Sequence, residues 1–173
     1  MDPTDILIAD ILSSRSFLSI WYWIFLAVCW AQLTHFTLGI GFHDVRHADR
    51  VRGQAMADLE TMVAINLRNT MPMLKNYGAV LVGVMTFMLS VFLTIGLAFN
   101  FELMQAIGLF WFFLCILGIV SWKFMLRLEA EQPKGSDLVK AIQRHKLVKQ
   151  IIGVLALFLT AFYGLLTATF DFF

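Results

Sequence analysis

The sequence predicts an all-α protein: a four-helix transmembrane bundle with an amphipathic helix between its first and second spans. Three observations carry that expectation. Of the 173 residues, 60% are hydrophobic and 14% charged, with a mean hydropathy of +0.77. Soluble domains hold roughly half and a quarter of these classes. Four segments, about 17–42, 77–99, 103–122 and 151–170, are apolar over the roughly 20 residues that a helix needs to cross about 30 Å of hydrocarbon. The charges are also segregated. Of the 13 Lys and Arg, only Arg15 falls outside the two long connections, 43–76 and 123–150.

The N-terminal stretch MDPTDILIAD is acidic, whereas a cleavable signal begins with a basic region, so the first apolar segment is expected to stay attached. Trp21, Tyr22 and Trp23 mark the outer end of that span, because such rings favour the membrane interface. Gln32 and His35 are its polar residues. A neutral His35 could ligate haem or a chlorophyll-type pigment. It could equally hydrogen-bond a neighbouring helix, and with no second intramembrane histidine beside it the structural role is preferred.

The stretch FHDVRHADR, 42–50, follows. If it is helical, His43, Arg46, His47 and Arg50 stand at i, i+3, i+4 and i+7 and share one face. Two histidines four apart have a zinc-helix spacing. However, the arginines repel a divalent cation, Asp44 points away, and HDVRH is not HEXXH. Contact with anionic lipid headgroups is expected first, a partner protein second, and metal is disfavoured.

Met56, Leu59, Met62, Val63 and Leu67 recur at helical spacing within 53–69 and predict the amphipathic helix, lying on the membrane or packed under the bundle. Thr70 and Pro72 suit the start of the second span. Small residues recur every four positions in that span, at Gly78, Thr86, Ser90, Thr94 and Ala98. They do so again in the fourth, at Ala156, Thr160, Gly164 and Ala168. Such stripes let helices approach closely, within one bundle or against a partner's helix. The short NFE, 100–102, predicts a tight hairpin into the third span, whose FWFFLCILGIV reads as lipid-facing or partner-facing. EQPKGSD predicts a turn, after which Ser136 or Asp137 can cap a basic helix running into the fourth span. Cys29 and Cys115 lie mid-span, where a thiol packs as a small hydrophobe. A disulfide would require their helices to touch. No β-strand is expected.

Positive charge stays on the cytoplasmic side, so both long connections are expected there and both termini outside, with Asp2, Asp5, Asp10, Glu102 and Asp171. No span holds a mid-membrane Asp, Glu, Lys or Arg, which counts against a proton or ion pathway. No nucleophile–base set or phosphate-binding loop is visible, so neither an enzyme nor a cofactor site is predicted.

The run SFLSIWYWIFLAVCWAQLTHFTLGI, followed by GQAMADLE and INLRN, resembles a family of small alphaproteobacterial membrane proteins often labelled "component of SufBCD complex". The likeness covers the first span and the helix after it, and the remainder by topology and length. It implies a bacterial inner-membrane protein and transfers neither an activity nor functional residues.

The functional expectation is a non-catalytic accessory or assembly subunit of a larger bacterial inner-membrane complex, an energy-converting complex being one candidate. The alternatives are a self-assembling small-molecule channel or transporter, and a haem-, quinone- or pigment-binding membrane protein using His35. The expected partners are other membrane subunits and anionic lipids, without nucleic acid, and self-association is left open.

Overall fold

The computed structural model describes residues 20–37 and 39–170. In chain order their elements are α1 (Ile20–His35), the antiparallel strands β1 (Phe36–Thr37) and β2 (Ile40–Gly41), α2 (Phe42–Val51), α3 (Gln54–Ala98), α4 (Glu102–Glu131) and α5 (Gly135–Phe170). Three of these, α3, α4 and α5, contain windows long and apolar enough to cross a membrane. The molecule is a helical membrane protein.

The first apolar segment differs from expectation. Its helix stops at His35 after 16 residues, about 24 Å, instead of continuing to Phe42. Phe36 then pairs with Gly41 and Thr37 with Ile40, a small strand pair where none was expected. Gly39 supplies the φ of +71° that closes the turn between them. Residues 17–19 of the expected span lie outside the described residues.

The second correction concerns α3. The expected amphipathic helix and second span are one continuous helix of 45 residues, about 67 Å, with Pro72 in its interior. Of the apolar positions in 53–69, Leu59 and Val63 are buried and Met56 and Leu67 pack beside them, whereas Met62 is exposed. This segment is therefore held under the bundle as an extension of α3.

Helix α4 crosses back after the turn at 99–101, where Asn100 adopts φ +49° and the Phe101 N–H donates to the Gly96 carbonyl at 3.1 Å. It continues to Glu131, and Gln132 in the left-handed region ends it. Helix α5 then runs 36 residues without interruption. Since α3, α4 and α5 are about 67, 45 and 54 Å long, all exceed the apolar thickness of a bilayer, and they do so at the same end.

Two cores result. In the membrane part, Leu26 and Trp30 of α1, Phe113 and Leu117 of α4 and Ala156 of α5 are buried together. In the projecting part, Ile40, Val45 and Ala48 close over Leu59, Val63, Leu128, Leu138, Val139 and Ile142, the sort of core a soluble domain builds. Two polar contacts fasten this layer. Lys75 Nζ meets Glu129 Oε1 at 2.6 Å, and the Gly135 N–H, at the start of α5, donates to Glu60 Oε1 at 2.6 Å.

The aromatics around α4 also need a correction, because that helix is central. The Tyr22 hydroxyl of α1 donates to the Ala106 carbonyl, Phe110 meets Trp30 edge-to-face, and Trp111 donates through Nε1 to the Met85 carbonyl of α3. Its bulky side chains serve three neighbours. Helix α3 is the peripheral one: 6% of its membrane window is buried, against 22% for α4 and for α5. Where α3 and α4 touch, glycine is required. A Cβ on Gly78 would sit 2.5 Å from the Trp122 ring, and one on Gly96 2.9 Å from the Gln105 backbone nitrogen.

Candidate functional site

Helix α2 is amphipathic in the way its sequence dictates. Val45 and Ala48, each 1% exposed, face the core, while His43, Arg46, His47 and Arg50 line one shallow surface groove of about 200 Å³ on the opposite side. The imidazoles of His43 and His47 lie parallel with centroids 6.4 Å apart. Asp44 turns back toward the helix start, its carboxylate 3.7 Å from His43 Nδ1, where the helix dipole favours a negative charge. Among the described residues, no three His, Cys, Asp or Glu side chains converge as metal ligands would.

The cationic strip extends beyond α2. Burial and then the neighbouring Arg46 guanidinium hold the Lys146 ammonium of α5 below the ordinary lysine value. Like charges held this close favour an anion between them.

The structure also assembles a group that the sequence reading did not single out. His145 and Lys149, one turn apart on α5, are only 6% and 5% exposed. With Thr70 of α3, Ser121, Phe124 and Met125 of α4 and Gly39 of the β1–β2 turn they line a cavity of about 220 Å³. The His145 ring lies flat on Phe124, with centroids 4.0 Å apart and planes within 4°. Burial, and secondarily the Lys149 charge, push its pKa down to about 4, and burial likewise lowers that of Lys149. The i, i+4 spacing was visible in the sequence. The enclosure depends on residues 20 to 110 positions away and was not.

The small-residue stripes divide. On α5, Ala156 and Thr160 are each 1% exposed and Gly164 is buried, so this stripe packs inside the chain. The side chain of Ala168 lies outside the described residues. On α3 only Gly78 faces α4, whereas Thr86, Ser90, Thr94 and Ala98 are exposed. The α3–α4 seam is built instead from Gly78, Gly96, Phe92 and Trp111.

His35 closes α1, and its side chain lies outside the described residues. Cys29 and Cys115 are separate thiols. At the far end of the bundle Gln105 joins three helices, donating to the Gly96 carbonyl at 2.8 Å and accepting from the Tyr163 hydroxyl at 3.0 Å.

These features define a membrane-embedded helical protein with a projecting helical layer and a cationic collar at the junction. Comparison with family models, curated proteins and solved structures finds no match to this chain.

Proposed function

We propose that this chain is a non-catalytic accessory or assembly subunit of a larger bacterial inner-membrane complex. Its helical layer lies in the cytoplasm, and its termini lie on the opposite side. The observation that carries this reading is the outward face of α3. Thr86, Ser90, Thr94 and Ala98 form an exposed stripe of small side chains on the helix whose apolar window is the least buried of the three. Small residues let helix backbones approach closely, and in lipid that approach drives association where the hydrophobic effect cannot. Segregation of Lys and Arg to the projecting layer supports the orientation. The strip of His43, Arg46, His47 and Arg50 then lies against anionic headgroups and fixes the depth of the chain.

The test is affinity isolation of a tagged chain from native membranes in a mild detergent. A stoichiometric, unrelated membrane subunit is the expected outcome. A pure symmetric homo-oligomer enclosing a water-filled axis would overturn the reading in favour of a channel. The visible spectrum of the same preparation decides whether His35 carries a haem or pigment.

A further inference from the structure

We propose that the cavity enclosed by α3, α4, α5 and the β1–β2 turn binds a phosphate group, with Lys149 as its charge partner and His145, Thr70 and Ser121 as hydrogen-bond donors. The proposal does not depend on any partner complex.

Its first support is the His145 ring. Among the described residues no hydrogen bond reaches either nitrogen of the His145 ring, although the residue is 6% exposed and faces the cavity. The imidazole lines the cavity, so an occupant that accepts a hydrogen bond meets a donor that no protein group already uses. Stacking on Phe124 holds the ring in one plane, so its orientation needs no adjustment on binding.

The second support is the sign of the lining. None of the seven residues around the cavity is acidic, one is a lysine, and two carry hydroxyls. Donors arrive from three different helices, an arrangement suited to a tetrahedral anion, and lysine acts toward phosphate as a point charge. A volume of about 220 Å³ is large enough for such a group with part of its ester.

The third support is depth. Thr70 stands just before the second apolar segment, Ser121 at the end of the third and Lys149 just before the fourth. The cavity is therefore level with the headgroups, where basic pockets between helices meet lipid phosphates. A phospholipid diester and free phosphate offer the same chemistry to these donors.

The full chain in a phosphate-free maltoside detergent, with ¹⁵N-labelled histidine, provides the test. Phosphatidylglycerol, inorganic phosphate and a phosphate-free glycolipid are titrated separately while the His145 ring resonances are followed. Saturable movement with phosphatidylglycerol alone identifies a lipid site, and movement with inorganic phosphate also identifies a site for the free anion. Lys149→Met, checked for helix content by circular dichroism, should weaken binding about tenfold or more. Lys140→Gln, a cation on the exposed side of α5, should leave binding unchanged. The proposal is overturned if no phosphate probe moves His145, if the glycolipid moves it equally, or if Lys149→Met titrates like the parent chain. The first two outcomes are read on the unmutated protein, so the proposal can fail without any variant folding.

Discussion

Gly78 and His145 show how single positions control this molecule. A methyl group at Gly78 would lie 2.5 Å from Trp122, whereas one at Gly83 would meet nothing within 4 Å. Gly78→Ala should therefore lower stability by about 1–3 kcal/mol, since a ring held between two helices must move. Gly83→Ala should be neutral or raise it by up to about 1 kcal/mol. Unfolding of both variants in mixed detergent micelles gives the comparison. His145 takes up a proton near pH 6.5 when exposed but only near pH 4 in the folded protein. Between those values the unfolded chain binds more protons, so stability falls as pH drops from about 6.5 to about 4. His145→Gln should flatten that part of the pH–melting curve. The pairing of His145 with Lys149 was legible as a spacing. Their burial was not, because it depends on Phe124 and on a turn at Gly39 that no local pattern announces.

Elements were read correctly where periodicity was strong and wrongly where polar residues interrupted it. Thr70 and Pro72 looked like a boundary, yet α3 passes through both. Proline removes one N–H and leaves the Arg68 carbonyl without its usual donor. At the junction between the apolar span and the projecting layer, water can satisfy that oxygen. Helix α1, by contrast, stops early inside an apolar run, at a turn that only Gly39 makes affordable. The start of α5 depends on a distant group, since Glu60 accepts from the Gly135 N–H. Glu60→Gln should cost about 1 kcal/mol and speed proteolysis at the 132–134 turn, because it removes a charge-assisted bond at a helix N-terminus. For α2, Arg46→Glu with Arg50→Glu should lower the amount of chain inserted or assembled in membranes. His43→Ala with His47→Ala should leave metal content unchanged by elemental analysis.

For the molecule as a whole, the helical membrane class was legible from composition and the apolar segments. The packing order was not. Aromatics around α4 were compatible with lipid exposure, and only the neighbours Tyr22, Trp30 and Met85 reveal it as the central helix. Helix α3 showed the reverse: its small stripe implied contact, and among the described residues Gly78 makes it while Thr86, Ser90, Thr94 and Ala98 stay exposed. Thr86→Leu with Ser90→Leu should therefore change thermal stability by less than about 0.5 kcal/mol while removing the co-purifying subunit from the affinity isolation. One mechanical consequence follows from the continuity of α3. Its apolar window and its 54–75 extension belong to one uninterrupted helix. Bilayers of different thickness are matched by tilting a helix. A tilt of about 10° would swing the end of this extension, roughly 33 Å long, by roughly 6 Å, carrying the packed layer with it. The membrane half of α3 thus acts as one end of a lever with nearly equal arms, and lipid thickness can reposition the projecting layer.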